Sequence, residues 1–406
     1  MRSFFTNAIL MYVLNGLAQV VLGAVLPAML AHYRASYVVG GQIMLFQFTG
    51  FLAGVGVTSL AIHRIGHRAT LLTASAAMGL GGLVMGGLPP LPVVAAMCFL
   101  NGFGLGAMQT TIASTVMEWY EGRRAVVMSR LEVAFGTGAL LMPLFASRLL
   151  VVHEWPYAFS IPGVLALVFG AFWLFVRMNG GGDAAVRPGD GDAESGRPQV
   201  AGQARLAVLA LFLAMTFLYV GIESALNGFL PAIFIPYLHE SASAASLTIT
   251  VFWSAMVLGR MLTGRIVRKV SYARFLLWSI SLAFALLMSL TLWRNTVFFY
   301  VMIFFVGLAM SGMFALILVF TNHMFAGRTR LVTSLVTAFA GLGGAALPVV
   351  VGWLMDEVRV VEVIGSIAMF MLMLLAVLLV ILRIVSAARG HTGADGGGPV
   401  SLDAAP

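Results

Sequence analysis

The chain has 406 residues, of which 61% are apolar and 9% charged, and its mean hydropathy is +1.00. Soluble globular domains carry about 25% charged residues, so this balance excludes one and makes a bilayer the natural solvent. The 23 Lys and Arg outnumber the 15 Asp and Glu, but they fall in alternate short loops and form no basic patch, so no nucleic-acid partner is expected.

An α-helix needs about 20 apolar residues to cross the roughly 30 Å hydrocarbon core. Windows of that length predict spans at 7–32, 37–62, 69–88, 91–118, 124–151 and 157–178, then at 206–238, 246–268, 273–293, 296–323, 329–355 and 360–386. A closed barrel would show short alternating strands instead. Arg2 precedes an apolar stretch too long for a cleaved leader, so the first window reads as a span. The fold class expected is an all-α integral membrane protein with twelve transmembrane helices in two pseudo-symmetric six-helix bundles.

The expected organisation is a first bundle over 1–179, a flexible linker over 180–204, a second bundle over 205–388 and a disordered tail over 389–406. The linker is rich in Gly and acids and includes Pro188 and Pro198, a composition that buries little apolar surface. Arg64, Arg68, Arg123, Arg124, Arg265, Arg268, Lys269, Arg274, Arg328 and Arg330 occupy alternate loops. Basic loops stay on the cytoplasmic side, so both termini are expected there, in a multi-pass protein of the cytoplasmic membrane. Cys98, the single cysteine, leaves no disulfide or thiolate metal site. No metal, cofactor or enzymatic motif is expected: HExxH, GxSxG and P-loop patterns are absent from the sequence.

The halves repeat each other. Gly136, Gly138 and Pro143 in the fifth span return as Gly341, Gly343 and Pro348 in the eleventh, all 205 residues on. Gly122, Arg123 and Ser129 return as Gly327, Arg328 and Ser334 at the same offset, and Leu26 with Pro27 returns as Leu230 with Pro231 at 204. A shared offset between equivalent spans is the mark of a duplicated transporter.

A charge at mid-membrane costs about 2.5–3.5 kcal/mol even on the lower scales, so Glu132, Glu223 and Arg260 stand out. Tyr219 and Asn227 sit four residues to either side of Glu223, and helical spacing puts all three on one face. Burial disfavours an ionised carboxylate, so Glu223 and Glu132 are the proton-coupling candidates; the competing reading for Glu132 is an ion pair with Arg130, and Arg260 fits helix packing. The substrate-binding candidates are Asn15, Gln42, Gln47, Asn101, Gln109, Tyr219, Asn227, Trp253 and Asn322. Amides donate and accept, which suits a neutral polyhydroxylated solute, and Trp253 offers a platform for a sugar ring. Taken singly, each reads equally as an interhelical hydrogen bond.

The stretch from Leu60 to Arg68, LAIHRIGHR, resembles the loop signature of the major facilitator superfamily, with Ser59 in place of the first Gly and His63 in place of the Asp. His63, Arg64, Gly66 and Arg68 form the candidate gating loop; positive-inside anchoring is the plainer reading of the same residues. Phe46 to Phe51, Met128 to Val133 running into Gly136 to Leu140, Phe217 to Glu223, and Phe252-Trp253 with Gly259-Arg260 resemble the fucose permease-like branch of that superfamily, especially bacterial glucose/mannose:proton symporters. That resemblance implies two six-helix bundles, a monosaccharide substrate, a proton as partner and coupling by Glu132 and Glu223. Relatives often carry a carboxylate where this chain has Gln109. The function expected is proton-coupled monosaccharide uptake by alternating access, in a monomer surrounded by lipid. The rival is a superfamily exporter of drugs or other amphipathic molecules, which 24 methionines would suit.

Overall fold

The computed structural model describes residues 2–120, 124–175, 203–267, 269–325 and 329–392; the side chains of 2–3, 63, 117–118, 124–125, 203–205, 329–330 and 387–392 are not described. Outside this set lie nearly all of the expected linker, the tail beyond 392, and Gly122, Arg123, Arg268, Gly327 and Arg328, together with the His63 side chain. The described backbone is overwhelmingly helical and holds no strand. In hydrocarbon a helix is one of two solutions, because it bonds every N–H and C=O within its own segment.

The helices are α1 (Arg2–Tyr33), α2 (Tyr37–Gly86), α3 (Leu91–Trp119), α4 (Arg124–Val151), α5 (Tyr157–Phe175), α6 (Gln203–Leu238), α7 (Ala242–Ile266), α8 (Tyr272–Ser289), α9 (Thr296–Met310), α10 (Met313–Met324), α11 (Thr329–Glu357) and α12 (Val360–Thr392). They supply twelve spans long and apolar enough to cross a bilayer, because α2 holds two and α9 with α10 makes one.

Three boundaries differ from the sequence reading. The loop expected between residues 62 and 69 is a single break inside α2, at Gly66 with φ 77° and ψ 160°. That backbone region is open essentially to glycine alone, and forcing another residue into it costs about 1–3 kcal/mol. A Cβ at Gly66 would meet nothing within 4 Å, so Gly66→Ala isolates backbone strain from crowding. Thermal unfolding of the detergent-solubilised protein is expected to show a loss of that size; an unchanged midpoint would refute the strain argument. The tenth span is interrupted at Ser311 and Gly312, between α9 and α10. Finally, α12 continues to Thr392, into the tail expected to be disordered, since a helix propagates by hydrogen bonds and needs no apolar side chain to go on.

Lipid tails are as apolar as Leu, so membrane helices gain little from burying apolar surface on each other and associate where small residues let backbones approach. The repeat appears here as geometry. A Cβ on Gly138 of α4 would run into the Val13 carbonyl of α1, and one on Gly343 of α11 into the Phe217 carbonyl of α6. Gly54 of α2 meets the Phe103 carbonyl, and Gly259 of α7 faces the Leu308 carbonyl, 205 residues on in both members.

By Cα proximity the chain forms two compact units. One holds α1–α5 with Ser224–Ser254 and Ala345–Val360; the other holds α6 up to Glu223, Ala255–Gly344 and α12. In the first, α2 packs chiefly on α3 and α5, and α1 on α4; in the second, α8 packs on α9 and α10.

Candidate functional site

The first unit gathers most of the polar candidates. Asn15, with 1% of its surface exposed, donates from Nδ2 to the Leu105 carbonyl at 3.5 Å, while its Oδ1 accepts no hydrogen bond from the protein. A buried acceptor left this way costs about 1–3 kcal/mol, so Asn15 presents an unmet demand for a donor. Gln47 Nε2 donates to the Ala18 carbonyl and to Asn101 Oδ1, both at 3.4 Å, and Asn101 Nδ2 passes on to the Met78 carbonyl at 3.4 Å. This relay ties α1, both arms of α2 and α3 together, and both side chains are buried. Gln42 is exposed on α2.

Tyr12, which the sequence reading passed over, joins this group. It is fully buried, lies in electrostatic contact with Glu132 and donates to the Gln109 main-chain carbonyl at 3.5 Å. Its signal was present in the sequence: Tyr12 and Asn15 are three residues apart and share a helix face. Glu132 and Gln109 are half-buried.

Asn227 Oδ1 accepts from Trp253 Nε1 at 2.7 Å. The Trp253 ring, 2% exposed, meets Phe135 edge-on at 5.6 Å, a favoured aromatic arrangement. Asn227 therefore fixes the indole, and Phe135 is a further residue that helical spacing could not have singled out.

Residues from distant parts of the sequence also zip together in this unit. Along α7, Ser243, Ser246 and Thr250 face α4: Ser243 pairs with Ser147 at 2.7 Å, Ser246 donates to the Pro143 carbonyl at 3.0 Å and Thr250 to the Leu140 carbonyl at 3.1 Å. The last turns of α11 meet the first turns of α2. A Cβ on Gly352 would stand 2.5 Å from the Tyr37 carbonyl, and one on Gly41 would stand 2.6 Å from that of Pro348. One turn beyond, Asp356 accepts from the Tyr37 N–H at 2.9 Å and the Val38 N–H at 2.8 Å, one carboxylate oxygen for each.

The second unit holds the charged group. Glu223 Oε1 and Arg260 Nη2 are 3.9 Å apart, with 15% and 29% of their side chains exposed. Tyr219, fully buried, donates to the Met310 carbonyl at 3.0 Å and interacts with Glu223 one turn along α6. Arg260 of α7 thus partners a carboxylate of α6. Asn322 pairs with Thr333, at 3.0 Å from Nδ2 and 3.3 Å from Oδ1.

In the candidate gating loop, Arg64 and Gly66 are exposed, and Arg68, also exposed, donates to the Leu174 carbonyl at the end of α5. That contact ties the second arm of α2 to α5.

The family profile of the Major Facilitator Superfamily matches residues 8–222 and again 207–402. The chain is 30% identical to the glucose/mannose transporter GlcP of Bacillus subtilis (strain 168), over 86% of its own length and 87% of that protein. Its backbone superposes on the crystal structure of the nucleoside transporter NupG with a TM-score of 0.76 at 12% identity, over 93% of this chain and 98% of that one. It also matches the D-xylose-proton symporter, at 0.68 and 15% identity, over 94% and 96%. With twelve spans, a duplicated architecture and a profile match across both halves, the chain belongs to the Major Facilitator Superfamily and is a multi-pass membrane transporter, not an enzyme.

Proposed function

We propose that the chain is a secondary active transporter that takes up a monosaccharide such as glucose or mannose together with a proton. The observation that carries this reading is the amide group around Asn15, whose buried Oδ1 lacks a donor and would accept from a sugar hydroxyl. The 30% identity to a glucose/mannose transporter supports a monosaccharide as the substrate class. In this reading Asn15, Gln109 and Asn227 with its Trp253 meet the sugar. Gln47 and Asn101 hold the helices that present it, and residues 1–179 and 205–388 are the bundles whose alternating rearrangement moves it. Glu223 is the coupling carboxylate: protonation removes its attraction to Arg260 and gives it a proton to donate. Coupling requires only that sugar bind better to the protonated form. The distribution of basic residues among the loops supports a cytoplasmic position for both termini in this reading.

The test is uptake of radiolabelled glucose and mannose into proteoliposomes under an inward proton gradient. Accumulation that a protonophore abolishes is expected, with an upward shift of the melting temperature by the transported sugar, since saturation at 100 times Kd stabilises by about 2.7 kcal/mol. If neither sugar is accumulated or shifts melting while amphipathic cations do both, the exporter reading replaces this one.

A further inference from the structure

The carboxylate of Asp356 breaks a local rule of helix chemistry. It sits in the last turn of α11, next to Glu357, where the negative end of the helix dipole disfavours an anion. The first N–H groups of a helix have no partner within it, and the residue that should cap α2, Ser36, makes no capping bond with its side chain. Asp356 supplies the missing cap from another helix, with both oxygens, at the positively polarised end of α2. A charge badly placed for its own helix and well placed for a distant one points to a role in the contact itself.

We propose that Asp356 is a releasable clasp that holds shut the end of the transport path at which α1 stops and α2 starts. Beneath it, Gly352 and Gly41 bring α11 and α2 to backbone distance, and Gly228 of α6 lies against Met44 of α2, so the clasp closes over a seam of close helix approach. The clasp itself is exposed. Water replaces its two hydrogen bonds when it opens, so the seam separates without stranding a buried charge. The hydroxyl bonds of α7 to α4 lie along the same end of the unit and part the same way. This inference rests on the transport reading above for its purpose but not for its test.

The test places a cysteine at Met44, 4% exposed and behind the clasp, and measures its reaction with a membrane-impermeant maleimide in proteoliposomes without any sugar. Buried Cys98, the single native thiol, is the internal control. Asp356→Ala is expected to speed labelling of Met44→Cys at least about fivefold, because two hydrogen bonds to a charged group are lost, and Asp356→Asn, which keeps one acceptor, should fall between. Unchanged labelling overturns the proposal. So does equal acceleration by Glu357→Ala, which would make the effect one of general charge, or parallel labelling of Cys98, which would mean loosening of the whole unit. If Asp356→Ala does not fold, the Asp356→Asn comparison decides alone. A positive result with no sugar uptake would leave the clasp standing and remove the proposed substrate.

Discussion

Replacing Glu223 by Gln is expected to abolish accumulation of sugar while sparing its equilibration. With one proton per sugar, accumulation grows roughly tenfold for every unit of pH gradient; without the coupling carboxylate the internal concentration should stop at the external one. The introduced amide keeps the shape and hydrogen-bonding capacity of a protonated Glu, so counterflow exchange of labelled for unlabelled sugar should persist. That split separates a coupling role from a structural one, because a misfolded transporter loses both activities. Arg260→Met removes the other partner and leaves a carboxylate 15% exposed in the membrane, which is expected to destabilise the protein by more than the double replacement does. Glu132→Gln is the counter-test: if it abolishes accumulation and Glu223→Gln does not, the coupling assignment passes to the carboxylate beside Tyr12.

Gly138→Leu and Gly343→Leu are expected to have the largest effects on folding. In each, the new Cβ collides with a main-chain carbonyl, Val13 in one half and Phe217 in the other. Overpacking a well-packed core costs about 1–3 kcal/mol when side chains can shift; here the obstacle is backbone, so the helices themselves must part. The yield of monodisperse protein in detergent should collapse for both, and Gly→Ala at either site should already lower the melting temperature. Gly365→Ala is the control, with nothing within 4 Å of its Cβ. Exchanging helical Gly for Ala is worth up to about 1 kcal/mol in its favour. If all three Ala variants melt alike, close approach is not what these glycines serve.

The spans and the repeat were legible because they rest on local properties, the length of an apolar run and the spacing of Gly and Pro. The partners were not. Nothing in the sequence says that Asp356 reaches Tyr37 and Val38, 319 and 318 positions away, and a carboxylate near a span end reads as interface solvation. The Glu223 face was visible from helical spacing, and Arg260 from its depth, but their pairing depends on how α6 and α7 pack. Asn227 and Trp253 were each legible as polar candidates, and only coordinates show that the amide oxygen accepts from the indole. Gly66 was legible as a glycine in a turn, but its positive φ, and the near-continuity of helix on both sides, were not.

Contacts of glycine with a carbonyl oxygen are blind to the identity of the residue that owns the carbonyl. Val13 and Phe217 serve the same purpose in the two halves although one side chain is a small branched aliphatic and the other an aromatic ring. A lineage can therefore exchange nearly every residue on α1 and α6 without disturbing how they meet α4 and α11, so long as the small partner stays small. Packing of this kind suits a fold whose backbone superposes at 12% identity, and leaves side chains elsewhere on the helices free to vary.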